Sequence, residues 1–524
     1  MGRSMSAVTP SILGKLHVPA TYYDRRADRH YDVYVQDQQL YQSESGKDPS
    51  GKDIFRDEHQ IHWIIGSGSA VLGGITQREN YLFEAPLAMY TRPGVWELAP
   101  GYEFADLGFS RPVLPGCLFC HSGRSKPVTG TTGEFDRTIF SEMAIGCENC
   151  HGPGAAHLQA VSRNAVDKYS NLSIVNPATL TSVMANNICM ACHEVGDERI
   201  LKPGKTYQDI RPGTSLDKVL TILMIPPTRK SPPQADHLQQ YYSMTLSKCF
   251  RVSAGRLSCI TCHDPHVQPS VEEASTYFDS KCMTCHTDQS CRLSRAVRQE
   301  SRPANNCIGC HMPKREVGFI AHSSLTNHLI RARVDEPFPD SAFSQTSEFL
   351  PDLIHLNQES RNKEDSPSLL TLLQAYGDLA TYKPDYVAPY LKVLNTLELM
   401  QPNNSLVQAA LGRRCLKAGK LQEAVRHLKR SLTIGPARSV VFSDLSDAVD
   451  KLGQRELSLN ILNKAVLQDP FNPTPRRSLI FRLIELNHYA QAQSAMDHYS
   501  TIFPQDFYMR EEFSQATKGL SVKR

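Results

Sequence analysis

Residues 20–110 alternate apolar and polar positions over short stretches. HYDVYVQDQQLYQ (30–42) and NYLFEAPLAMY (80–90) carry the two-residue period of half-buried strands, and IHWIIGSGS (61–69) ends in turn residues. Residues 1–110 are therefore expected to form a β-rich N-terminal region; both tryptophans, Trp63 and Trp96, fall inside it and are expected to share its small core. Residues 111–330 show few long periodic segments and predict short helices joined by loops. Residues 331–366, with EPFPDS, SQTSEF and NKEDSPS, read as a polar, Pro-containing linker. From 367 to 510 the period changes to that of helices, and 511–524 reads as a tail.

Within the helical part, Pro402, Pro436, Pro470 and Pro504 recur every 34 residues, the period of tetratricopeptide repeats. Leu411, Gly412, Ala424, Leu428 and Pro436 occupy signature places in one unit, as do Leu445, Leu462, Ala465 and Pro470 in the next. The unit ending at Pro504 keeps Leu479 and Ala492, and small residues at such places let paired helices pack closely. The unit before Pro402 is degenerate, as a capping repeat should be. The expected fold is multidomain: a β-rich region, a loop and short-helix region, and an all-α solenoid.

Composition adds limits. With 524 residues the chain has room for several domains, each able to bury a core. The formal charge is +3 and no basic tract stands out, so nucleic acid is not an implied partner. No apolar run is long enough for a transmembrane segment. The opening residues, MGRSMSAVTPSILGKLHV, lack the continuous apolar stretch of an export signal.

Cysteine placement changes the picture most. Of fifteen cysteines, twelve form C-x-x-C pairs, and each pair is followed by His. The motifs are Cys117/Cys120/His121, Cys147/Cys150/His151, Cys189/Cys192/His193, Cys259/Cys262/His263, Cys282/Cys285/His286 and Cys307/Cys310/His311. Two thiols three positions apart on one helical turn reach the two vinyl groups of a single haem, and the adjacent imidazole binds its iron from the proximal side. Zinc ribbons also use C-x-x-C pairs but do not require the following His. Given the pairs, finding it six times by chance is on the order of one in a billion. Six c-type haems are the expected cofactors, and they would form the core that residues 111–330 otherwise lack. Their propionates would make the loaded protein acidic.

For the sixth iron ligand the candidates are His30, His157, His237, His266, His322 and His328. In CENCHGPGAAH and CITCHDPH a second His follows closely on the proximal one, placing His157 and His266 to reach a neighbouring haem. His17, His59 and His62 are reserves; His427, His488 and His498 fall in the repeats and read as surface residues. Met143 and Met312 have thioethers that can ligate, although Met more often fills a core. Cys249 and Cys291 are free thiols or a disulfide, and Cys415 takes an aromatic core place in a repeat.

WIIGSGS, WELAPGYEF, FSRPVLPGCLFCH, AIGCENCHGPGAAH, SKCFRVSAGRLSCITCHDPH and CIGCHMPKR resemble, in this order, multihaem c-type cytochromes fused to tetratricopeptide repeats. The haem part is similar to the tetrahaem cytochrome that accepts electrons from hydroxylamine oxidoreductase. The resemblance implies a periplasmic or cell-envelope location, mostly bis-His haems, and distal roles for His157, His237, His266, His322 and His328, with His30 a weaker match. Members often carry a further haem motif upstream, and with no export signal at its start the chain is expected to begin late.

The function expected is electron transfer through six haems, with the repeats docking a redox protein. The alternative is an oxidoreductase acting on a small nitrogen or sulfur compound at one haem with an open coordination position. The C-x-x-C-K motif that marks such a haem in multihaem nitrite reductases is not present. A third reading makes the repeats an assembly scaffold, a role for which six haems are excessive.

Overall fold

The computed structural model describes residues 2–163, 174–233, 239–270, 272–318, 320–333, 335–343, 352–358 and 367–518. They fall into two compact units. One joins residues 2–144 to 391–524; the other is residues 145–390. The β-rich N-terminal region therefore shares its unit with most of the helical repeats, and the first haem-type motif, at 117–121, lies with them rather than with the other five.

In the first unit, strands Ala20–Asp24, Arg29–Gln36, Gln39–Lys47 and Asp53–Ile61 form a four-stranded antiparallel sheet in sequence order. The two-residue connection uses Asp37 and Gln38 in left-handed conformation (φ 49° and 60°), as a tight hairpin requires. Tyr31 and Val33 alternate inward from Arg29–Gln36, as the sequence period predicts. A six-stranded sheet is built around Val71–Arg78 and Tyr81–Tyr90. Leu40, Ile61, Ile64, Leu87, Met89, Trp96 and Phe109 share one core between the sheets. Gln42 is buried there, its amide donating to Leu87 O at 3.0 Å and accepting from Leu87 N at 3.1 Å, so a side chain replaces a missing strand partner.

The repeats keep their register to the residue. Helices Ser405–Lys417, Ser439–Lys451 and Pro473–Glu485 start 34 residues apart, as do their partners Leu421–Ile434, Arg455–Gln468 and Tyr489–Ile502. A closing helix, Phe507–Thr517, begins 34 residues after Pro473. Each hairpin turns on a left-handed residue at the same place: Gly419, Gly453 and Asn487. At Gly412 a Cβ would stand 2.5 Å from Leu428 Cγ, so only hydrogen fits. The next repeat holds Ser446 and Ser458 at the matching close approach, buried and hydrogen-bonded to each other at 2.7 Å. Cys415 lies in the core with Ala424 and Leu428. Residues 511–517, expected as tail, complete the closing helix and bury Phe513.

The sheets and the last repeats pack directly. Tyr81 and Phe83 meet Phe471 at ring distances of 5.0 and 4.9 Å, and Phe55 meets Phe507 at 5.3 Å. Arg29 stands 5.3 Å from the Phe55 ring and 5.4 Å from the Phe507 ring. Arg78 donates to Ile502 O at 3.2 Å.

The second unit is built of short helices. Leu220–Met224 is paired by Glu198–Leu201 on one side and Ile354–His355 on the other. Asn357 locks this last strand by accepting from Ile222 N (2.8 Å) and donating to Leu220 O (2.7 Å). Part of the segment expected as linker thus belongs to a sheet. From 247 to 316 the described hydrophobic side chains are all half-buried or exposed.

Candidate functional site

Pro115–His121, Cys147–His151, Cys259–Cys262 and Cys307–His311 are helices of one or two turns, and Ser182–His193 carries Cys189 and Cys192 at its C-terminal end; Ala274–Cys282 ends on Cys282, with Cys285 in the turn that follows. Side chains start these short helices. Asn149 accepts from Gly146 N (2.9 Å), Thr261 from Ser258 N (3.0 Å), and Asn306 from Gly309 N (2.9 Å). In the first unit, Leu118 from inside the motif is buried with Leu82, Val113, Phe135 and Ile139, which pins that helix to the sheet. Burial pushes Glu84 up to about 7 against the opposing Arg111, whose Nη1 lies 3.0 Å away; both charges reach Cys117 electrostatically.

Each of the twelve motif thiols is half-buried or exposed. Cys120, on the last turn of Pro115–His121, and Cys192, on the last turn of Ser182–His193, are half-buried. Cys310, on Cys307–His311, is exposed, as are Cys117, Cys147 and Cys285. Among the described residues, Cys120, Cys192 and Cys310 join no cluster of three or more His, Cys, Asp or Glu donors. A cofactor-binding role for these three therefore rests on motif spacing alone. Cys249 and Cys291, expected as thiols or a disulfide, are free thiols.

In the second unit the five motifs follow one another in space. Thiols of successive motifs interact electrostatically: Cys150 with Cys189, Cys189 with Cys259, Cys262 with Cys282, and Cys282 with Cys307. Two buried polar side chains hold this chain together. Asn186 accepts from Cys259 N at 2.9 Å, and Asp279 accepts from Cys307 N at 3.1 Å. Glu194, buried directly after His193 and pushed up to about 8 by burial, accepts from Tyr241 N at 2.9 Å. Sequence reasoning missed these three, since one Asn, Asp or Glu among many carries no spacing signal.

The imidazoles show more order than the motifs alone predict. His151 and His266 lie with ring centres 6.0 Å apart and planes 21° apart. His263 and His328 do the same at 6.1 Å and 29°. Each pair joins a motif His to one of the distal candidates. In four rings Nδ1 is held by an oxygen: His151 by Val175 O (2.8 Å), His311 by Arg331 O (2.6 Å), His328 by Thr326 O (3.0 Å) and His266 by Asp264 Oδ1 (3.1 Å). Nδ1–H donation to these oxygens leaves Nε2 with its lone pair. Burial, aided by His263 and His193, pushes His328 down to about 4, so it is neutral at pH 7.

The other candidates are placed differently. The His30 ring stacks on Tyr23 at 4.6 Å, in the four-stranded sheet. His157 lies on helix Ala155–Ser162 with Nδ1 buried and without a hydrogen-bond partner. His322 is exposed in the turn between Lys314–Glu316 and Ser324–Thr326, at φ 52°. His237 lies outside the described residues. Of the reserves, His17 Nδ1 meets Gly94 O at 2.8 Å and His59 Nε2 meets Asp57 Oδ1 at 2.8 Å. Among the described residues, no three His, Cys, Asp or Glu side chains converge as a metal-ion site; the donors stand as pairs. Also among them, no helix is long and apolar enough to cross a membrane.

No family model and no curated protein matches the sequence. Among solved structures, the chain is similar to MamA from Desulfovibrio magneticus RS-1 (21% identity, 26% of this chain and 75% of that chain, TM-score 0.23). It is similar to the APC/C hetero-tetramer Cut9–Hcn1 (13% identity, 28% and 30% covered, TM-score 0.26). A third is the Arabidopsis OM64 TPR domain (18% identity, 22% and 96% covered, TM-score 0.21). The tetratricopeptide character of residues 405–506 rests on their own 34-residue register.

Proposed function

We propose that the protein is a multihaem c-type cytochrome of the periplasm or cell envelope. In this reading six haems are bound through the six motifs, and the repeats hold a redox protein partner. The observation that carries the reading is the closeness of two imidazole pairs, each joining a motif His to a distal candidate with ring centres 6.0 and 6.1 Å apart. Two imidazoles that would share one iron need about this separation, ~6 Å between centres. Two imidazoles are also the number of ligands a macrocycle leaves to the protein, whereas a zinc ribbon takes four donors.

When bound, haem supplies an iron that passes between ferric and ferrous states. The chain's residues do the rest. Paired thiols tether the ring as thioethers. His151 and His263 would hold the irons of their own motifs, with His266 and His328 as the second imidazoles of those two sites. Oxygens on Nδ1 of His151, His266 and His328 fix the tautomer and ring direction of these three and raise the basicity of Nε2. Motifs that succeed one another in space suit short electron steps, and the half-buried apolar side chains of 247–316 suit contact with macrocycles. Helical repeats offer a surface for a protein partner, which separates holding from conduction.

The test is spin state. In the loaded protein, His266→Ala and His328→Ala each convert one low-spin haem to high-spin in electron paramagnetic resonance, and the two signals belong to different haems. Substitutions that leave every haem low-spin would contradict the assignment of both ligands.

A further inference from the structure

The helix Lys248–Val252, the motif Cys282–His286 and the segment 288–299 all belong to the second unit. Arg298 Nη2 donates to Asp288 Oδ1 at 2.6 Å, fixing helix Arg295–Gln299 to the turn after His286. Cys249 lies within electrostatic reach of Cys282 and Cys285.

Charge around the motif is one-sided. In residues 280–302 Arg292, Arg295 and Arg302 are exposed and Lys281 is half-buried, while Arg298 is buried on Asp288 and Glu300 is the other acid. Residues 248–256 add Lys248, Arg251 and Arg256 with no acid. Asp288 is already engaged by Arg298 and by Arg295, at 3.8 Å. The two propionates of one haem do not cancel such a surplus. A basic rim around this motif meets the first need of a transient redox contact, steering an acidic partner toward it.

We propose that this face docks an acidic electron-transfer protein, which exchanges electrons through the haem tethered at Cys282 and Cys285. It rests on the haem reading above. In the forward direction the partner loses one electron and the iron ligated by His286 gains it, ferric to ferrous, with no bond made or broken. The repeats then anchor a complex whose electrical contact lies elsewhere on the chain.

The experiment is stopped-flow reduction of the haem-loaded full chain by flavodoxin hydroquinone, an acidic one-electron donor. The second-order rate should fall at least tenfold between about 10 mM and about 300 mM salt. The variant Lys248→Glu/Arg251→Glu/Arg292→Glu should react about tenfold more slowly at low salt and lose most of the salt dependence. Its reduction by hexaammineruthenium(II), a cation, should become faster. The milder Lys248→Gln/Arg251→Gln/Arg292→Gln variant should fall between, and serves if the charge reversal prevents haem loading. A loaded variant that keeps the parent's rate with flavodoxin overturns the docking face and leaves the haem reading standing. Sedimentation of the parent, but not the variant, with anionic phospholipid vesicles and an unchanged flavodoxin rate would assign the patch to a membrane and overturn it too. A chain without haemochrome bands overturns both readings.

Discussion

Residues 405–517 and residues 247–316 solve the problem of burial in opposite ways. The repeats hide Leu411, Ala424, Leu428, Leu445, Leu462 and Ala465 against one another, each helix presenting one apolar face to the next. Over 247–316 the hydrophobic side chains stay half-buried or exposed, and what is organised instead is cysteine pairs, imidazoles and the polar side chains that position them. One region is complete as a polypeptide. The other has its donor atoms arranged before its apolar surface is covered, which is how a chain looks when a large apolar group supplies the core.

The sharpest way to break this contrast is to prepare the chain without haem. Amide hydrogens of the second unit around the motifs should then exchange at least ~10³-fold faster than those of the helices between Ser405 and Ile502, read by hydrogen-exchange mass spectrometry. Equal protection in both regions would remove the contrast. Next in size is Gly412→Val. Its side chain must enter space 2.5 Å from Leu428 Cγ, and overpacking should cost about 2–3 kcal/mol in thermal unfolding of the repeats while the haem count is unchanged.

Smaller still is Ser446→Ala, which strands the buried Ser458 hydroxyl and should cost about 1–2 kcal/mol. The double variant with Ser458→Ala should recover much of that loss. The smallest effect sharpens the first unit beside its own motif. Glu84 is raised from 4.5 to about 7 by burial, so the folded state binds its proton more tightly than the unfolded state does. Its protonation contributes stability that is full below about pH 4.5 and lost as the pH rises through 7. Glu84→Gln should therefore flatten the fall in denaturation midpoint between pH 5 and pH 8, by on the order of 1 kcal/mol.

Legibility followed periodicity. A repeat of 34 residues fixes helix starts at Ser405, Ser439 and Pro473 because every unit repeats the same small residues and turn positions. The alternation around Tyr31 and Val33 marked a strand for the same reason. The motif residues stand out in the sequence by their spacing, on which the proposed haem attachment rests. Their cover was not legible: nothing in the spacing of Cys307 and Cys310 tells that the first is half-buried and the second exposed. Pairings between distant segments were equally hidden. His151 and His266 are 115 positions apart, and nothing in either sequence neighbourhood addresses the other. Phe55, Phe471 and Phe507 read as ordinary apolar positions, so the packing of the N-terminal sheets on the last repeats appears only in three dimensions.

The central claim, covalent haem at every motif, is tested most directly by intact mass together with the pyridine haemochrome of the chain produced in a host that matures c-type cytochromes. The account predicts a red protein heavier than the polypeptide by six haems. A colourless product with the mass of the polypeptide alone would contradict it.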